Sequence, residues 1–141
     1  GRAEKYEQAA DYFRRVLAVE PGNARASKDL GYALWMRGQY AEALRYQRLA
    51  EEKRPRDAQL AGEIAMTLTK LKDYAAAELY FKKSLRLKPE EGTVLRYAEM
   101  LDENGQHGRA VALLELYADE PAFSHSFREK ARLMVDGRPG R

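Results

Sequence analysis

The chain has 141 residues, 45% of them hydrophobic and 33% charged, a size usual for one domain and sufficient to bury a core if its elements stack. Its 25 basic and 22 acidic residues leave a formal charge of +3 and are interleaved along the chain, whereas a nucleic-acid surface carries a concentrated basic stripe, so no nucleic-acid partner is expected. No run approaches the roughly 18 to 20 apolar residues of a membrane-spanning helix, so no insertion into a membrane by this stretch is expected, and the absence of cysteine removes disulfides, thiolate metal sites and cysteine nucleophiles.

A period organises the chain. Pro21, Pro55 and Pro89 lie 34 residues apart, and the same interval relates Tyr6, Tyr40 and Tyr74, then Ala9, Ala43 and Ala77, then Tyr12, Tyr46 and Tyr80. Within a period the apolar positions follow helical spacing, as in Leu30, Ala33 and Leu34, and again in Tyr40, Ala43 and Leu44 after Arg37-Gly38-Gln39. Each period therefore predicts a helical hairpin, and the chain an all-α solenoid of about eight helices.

In chain order, residues 3–21 predict the second helix of a hairpin whose first helix is missing, with the helix leaving at Pro21, which cannot continue a helix interior. Because the chain begins inside a repeat, it is expected to be a piece of a longer array, with any targeting signal or anchor upstream of it. Residues 24–57 and 58–91 predict two full hairpins, turning at Arg37-Gly38-Gln39 and at Leu71-Lys72-Asp73. Residues 92–121 predict a looser third, since Ala110 follows Ala77 by 33 residues and Pro121 follows Pro89 by 32. Ser126-Phe127-Arg128-Glu129 has the form of a capping box opening a terminal helix over 126–136, built on Phe127, Ala131, Leu133 and Met134 and followed by a frayed tail at 137–141. Small residues mark where helices should approach closely: Gly31, Ala65 and Ala98 in first helices, and Ala9, Ala43, Ala77 and Ala110 in second helices.

These columns resemble the tetratricopeptide repeat, whose unit prefers a large residue, Leu, Gly, Tyr, Ala, Phe, Ala and Pro at set places. The match in the first full unit is Leu30, Gly31, Leu34, Ala43, Gln47, Ala50 and Pro55, and in the second Ile64, Ala65, Leu68, Ala77, Phe81, Ser84 and Pro89. Tyr6, Ala9, Phe13, Val16 and Pro21 fit the leading half-unit, and Tyr97, Ala98, Leu101, Gly105, Ala110, Leu114 and Tyr117 the loose one. The resemblance implies a right-handed superhelix of antiparallel hairpins whose first helices line a concave groove, and a binding scaffold that carries no catalytic residues and no cofactor.

By the same resemblance, one face of each first helix meets the ligand. It offers Arg25, Lys28, Tyr32, Trp35 and Met36 from the first full unit, Gln59, Gly62, Met66, Thr69 and Lys70 from the second, and Gly92, Leu95, Glu99, Asp102 and Glu103 from the third. The expected groove is basic and aromatic at one end and acidic at the other. Large apolar side chains facing solvent commonly anchor a binding surface, so Tyr32, Trp35 and Met36 are candidate anchors, although a tryptophan at helical spacing also packs readily against a neighbouring helix. Glu99, Asp102 and Glu103 set like charges three and four residues apart, a repulsion that a cationic ligand or a nearby Arg96 would relieve. The clamp by which some family members hold a peptide carboxylate is not expected: Lys28 stands at a clamp position, but Tyr32 and Glu63 stand where asparagines are needed, and Glu63 would repel a carboxylate.

Catalysis finds no support in the pattern. His107 and His125 form no metal-ligand spacing, no metal is expected, and Gly105-Gln106-His107-Gly108 follows a helix and lacks the lysine and hydroxyl of a phosphate-binding loop. The leading expectation is a protein partner in the groove. The alternative is a periplasmic module of a bacterial exopolysaccharide export protein that contacts glycan or assembles the secretion complex. The excess of arginine over lysine, 16 to 9, fits a GC-rich bacterial genome, and groove aromatics can stack on sugars. Cytoplasm and bacterial periplasm both remain open as compartments.

Overall fold

The computed structural model describes residues 1–136, and the tail expected at 137–141 lies outside them. Eight helices make up the described residues: α1 (Arg2–Val19), α2 (Ala24–Met36), α3 (Tyr40–Lys53), α4 (Ala58–Lys70), α5 (Tyr74–Leu87), α6 (Glu91–Glu103), α7 (His107–Leu116) and α8 (His125–Asp136). Each packs on its neighbour in sequence, and first helices α4 and α6 also touch, the arrangement of an all-α solenoid of antiparallel hairpins.

Local chemistry sets the helix limits. Asn23, Asp57 and Asp73 each cap a helix, accepting from the backbone N–H of Ala26, Leu60 and Ala76 at 2.9, 3.0 and 3.3 Å and satisfying donors that the helix cannot. The hairpin turns reverse through left-handed backbone, with φ of +77° at Gly38 and +76° at Gly105, where a missing Cβ removes the steric cost. Lys72 adopts the same conformation at φ +64° with its Cβ in place. Lys72→Gly is therefore expected to stabilise the fold by about 0.5 to 1 kcal/mol, read as a higher urea midpoint at unchanged slope. The ion pair it would remove, Lys72 Nζ to Glu103 at 3.7 Å, is exposed and screened.

The small-residue columns sit where the helices meet. Gly31, Ala65 and Ala98 are buried in first helices and Ala43, Ala77 and Ala110 in second helices. A Cβ on Gly31 would stand 2.8 Å from Gln47 Cγ and 3.3 Å from the Ala43 carbonyl, so hydrogen alone fits there without movement. Gln47, at the phenylalanine place of its unit, is 3% exposed and accepts from Thr67 Oγ1 at 2.8 Å, a buried bond that joins α3 to α4. Ala9 is only half-buried, α1 packing mainly on α2 among the described helices, and Ala10 is the residue of α1 that turns fully into the core.

The end of the chain differs from expectation. Helix α7 stops at Leu116, well short of Pro121, and α8 is capped by Ser124, whose Oγ accepts from Phe127 N at 3.1 Å; Ser126 is not the cap. The loop between them buries Phe123, which is 6% exposed, stacked on Tyr117 at 5.7 Å and edge-on to Phe127 at 4.9 Å. Glu91 at the start of α6 secures this loop by accepting from Ser124 N and Ser124 Oγ at 2.7 and 2.8 Å. Glu129, expected to complete a capping box, pairs with Arg132 at 2.8 Å instead.

Candidate functional site

Stacking α2, α4 and α6 side by side leaves a cavity of about 280 Å³. Tyr32 and Trp35 form its α2 wall, and Gln59, Gly62, Glu63 and Met66 its α4 wall. Glu90, Thr93 and Arg96 close it from α6 and its cap, and Gln47 and Phe81 reach its floor from the second helices. Gly62 permits the close approach of α4 to α5, since a Cβ there would stand 3.3 Å from Ser84 Oγ, and Ser84 Oγ itself donates to the Ala58 carbonyl at 2.8 Å. A second cleft adjoins along Tyr32, Gln59 and Glu63 and is bounded by Arg25, Lys28, Asp29 and Arg54.

The expected anchors divide between packing and exposure. Tyr32 is 51% exposed, and its ring meets Tyr6 edge-on at 6.2 Å. Trp35 serves on both sides: it packs against the core cluster around Leu30 and Leu34, meets Tyr40 edge-on at 5.7 Å, and still lines the cavity. Its indole Nε1 is buried with no acceptor among the described residues, a penalty of about 1 to 3 kcal/mol. Lys70 Nζ lies 5.9 Å from the same ring, and Met36 is exposed beyond the cavity rim. Arg25 pairs with Asp29 at 3.2 Å, and Lys28 Nζ is held by Asp57 at 3.6 Å and Gln59 Oε1 at 3.4 Å. Thr69 donates its hydroxyl to the Ala65 carbonyl at 2.9 Å, a bond within α4.

The expected acidic end does not form one patch. Asp102 lies 2.8 Å from His107 Nδ1 across the α6–α7 turn. Glu103 accepts from the Tyr74 hydroxyl at 2.6 Å and stands 3.7 Å from Lys72. Glu99 is exposed and is not among the side chains that line the cavity. The face that α6 turns to the cavity is Glu90, Thr93 and Arg96, while Leu95 packs into the core and Gly92 leaves room for the Arg96 guanidinium, 2.9 Å from where its Cβ would be.

Glu63, which the sequence reading set at a clamp place but not among the candidate ligand contacts, is prominent in the structure. It stands one residue beyond Gly62 and lines both clefts. Burial pushes its carboxyl above the usual carboxylate range, opposed by Lys28 and reinforced by Asp57 and Asp29. Among the described residues no group of three or more His, Cys, Asp or Glu is placed to hold a metal ion, and no helix is long and apolar enough to cross a membrane.

Two profiles of the tetratricopeptide repeat match the chain, one over residues 1–58 and one over 58–91. Among curated proteins it is 30% identical over 107 residues to "BBSome complex member bbs-4" of Caenorhabditis elegans and 30% identical over 115 residues to "Type IV pilus assembly protein PilF" of Pseudomonas aeruginosa. Those matches take in 76% and 78% of the chain but only 23% and 45% of the two relatives. Among solved structures it superposes on MamA with a TM-score of 0.76 at 15% identity, covering 92% of the chain and 84% of MamA. A MamA piece from Desulfovibrio magneticus gives 0.76 at 21% identity, over 84% of the chain and 70% of that structure; at these identities the likeness concerns the fold. The chain belongs to the tetratricopeptide-repeat family.

Proposed function

We propose that the chain is a non-catalytic interaction scaffold that holds a segment of a partner protein in the groove formed by α2, α4 and α6. The observation that carries this reading is the cavity in which Tyr32, Trp35 and Met66 present apolar and aromatic surface beside Gln59 and Glu63. Aromatic anchors next to a few fixed polar groups give a binding surface both affinity and orientation. Two relatives whose names place them in a multi-protein complex and in pilus assembly agree with such a role. The polysaccharide alternative has no counterpart among these relatives and stands as an outcome of the test.

The test is an affinity capture from lysate and envelope extract of the source cells, with bound protein and carbohydrate both analysed. Wild type is compared with Tyr32→Ala/Met66→Ala and with Leu79→Ala, an exposed change on second helix α5. A protein held by wild type and Leu79→Ala is expected to bind the double variant about tenfold more weakly or worse, since truncating an interface anchor costs about 2 kcal/mol. Equal retention by all three would overturn the groove reading, and a carbohydrate lost in place of a protein would favour the glycan module. Trp35 is left intact because its packing in the core would confound loss of binding with loss of fold.

A further inference from the structure

Glu63 is a half-buried carboxylate without a counter-charge at hand. Among the described residues no cation lies within the 4.0 Å of an ion pair to it. Lys28, the cation with the largest favourable influence on it, is engaged by Asp57 at 3.6 Å and by Gln59 at 3.4 Å. Across the cavity, the Arg96 guanidinium and the Glu90 carboxylate lie beside Gly92, at 2.9 and 3.6 Å from the position a Cβ would occupy. Asp29 and Asp57 add negative potential around Glu63, and of the other cations bordering the adjoining cleft Arg25 is paired with Asp29 at 3.2 Å. The cavity surface beside Glu63 combines the aromatic and apolar side chains of Tyr32, Trp35 and Met66 with the polar Gln47 and Thr93.

We infer that this cavity takes an arginine or lysine side chain of the partner segment, its charged head against Glu63 and its aliphatic stem along Tyr32, Trp35 and Met66. The inference rests on the groove reading above and adds the chemistry of one partner residue. A cation there compensates the desolvated carboxylate, and its stem covers apolar surface that a shorter anion or amide would leave wet. Aromatic faces beside the carboxylate add attraction for a cation and none for an anion.

The raised carboxyl of Glu63 supplies a second readout. A carboxyl whose folded pKa exceeds its unfolded value binds more protons in the folded state, so stability falls as pH rises from the unfolded toward the folded value and stays reduced above it. Glu63→Gln removes that penalty while keeping the side-chain shape. It is expected to raise the Tm at pH 7, with the gain vanishing below about pH 4, where the carboxyl is protonated in both states. The facing groups whose own charge bears on this profile are Arg25, Lys28, Asp29 and Tyr32 on α2, Arg54 and Asp57 ahead of α4, and Glu90 and Arg96 at α6.

The probe is a random twelve-residue peptide library displayed on phage and panned on the full chain. Peptides recovered by wild type are expected to share an arginine or lysine, and replacing it with citrulline or norleucine should weaken binding about tenfold or more. Glu63→Gln should weaken the same peptides to the same degree while melting higher than wild type, a pairing that general damage to the fold cannot produce. Glu63→Lys should recover peptides bearing an aspartate or glutamate at that place. If Glu63→Gln binds the wild-type peptides undiminished while Tyr32→Ala binds them weakly, the cation inference fails and the groove reading stands. If neither variant weakens them, both fail.

Discussion

Ala77→Leu is expected to lower the melting temperature by about 5 to 10 °C, the consequence of an overpacking cost of about 1 to 3 kcal/mol in a chain of this size. Ala77 is completely buried on α5, in the cluster that holds Ile64, Ala65, Leu68 and Phe81. Ala65 faces the same seam from α4 and is also completely buried, so neither helix has slack at the crossing. A leucine adds three carbons where the packing is already at interior density, and the hairpin must either spread or force its side chains off their preferred rotamers. Ala75→Leu provides the control. Ala75 is exposed on the same helix, two residues away, and an exposed change of that kind normally stays within about 0.5 kcal/mol. Equal melting of the two variants in a calorimeter would show that the register assigned to α5 is wrong.

Glu78→Ala is expected to cost about 2 to 4 kcal/mol at neutral pH, with the cost shrinking as the solution is acidified. Glu78 on α5 accepts from the Tyr97 hydroxyl of α6 at 2.5 Å and from the Arg109 guanidinium of α7, so one carboxylate ties three consecutive helices. Tyr97 is 5% exposed and stacked on Phe81 with ring centres 5.2 Å apart, so once Glu78 is gone its hydroxyl proton loses its acceptor, and the neighbouring Arg109 guanidinium, itself a donor, does not replace it. Burial by itself would push the Glu78 carboxyl up, but the hydrogen bonds from Arg109 and Tyr97 outweigh it and hold the group below the usual carboxylate range. The same contact, together with burial, pushes the Tyr97 phenol up. A carboxyl with a depressed folded pKa contributes stability that is complete above its unfolded value, near 4.3, and is lost as pH falls through the folded one. The difference between wild type and Glu78→Ala in urea midpoint should therefore be largest near pH 7, begin to shrink as pH falls below about 4.3, and be small only below the still lower folded value. A difference independent of pH would assign the effect to lost packing.

Glu63 and Glu78 show how one residue type acquires opposite properties from its surroundings. Both are glutamates on helices of consecutive rank, both partly removed from water, and burial is the leading influence on each. Glu78 has a guanidinium and a phenol donating to it, whereas Glu63 has only the distant, already engaged Lys28 and the amide of Gln59. The contrast assigns Glu78 to holding the array together and leaves Glu63 with charge to offer a ligand.

The repeat phase, the hairpin turns and the close-packed alanines were all legible in the amino-acid order. Helical periodicity and proline act over a few residues, and a period of 34 copies the same local instructions along the chain. Gly31, Ala65, Ala98, Ala43, Ala77 and Ala110 could be placed because only small residues fit where two helices cross, whatever the partner side chains are. Ser124 as the cap of α8 and the early end of α7 were not legible, because Phe123 captures a site in the core that exists only once α6, α7 and α8 have docked. The charge map was decided by tertiary structure as well. Asp102 meets His107 and Glu103 meets Tyr74, and α6 and its cap present Arg96 and Glu90 to the cavity in place of Glu99. These outcomes depend on contacts such as Glu103 with Tyr74, 29 residues apart, and Glu78 with Arg109, 31 apart. Sequence determined which residues are helical and which are small at the crossings, since backbone sterics and side-chain volume act locally; which charges meet, and which carboxylate is left facing the cavity, only the stacking of the hairpins decided, since an ion pair depends on where distant helices bring their side-chain ends.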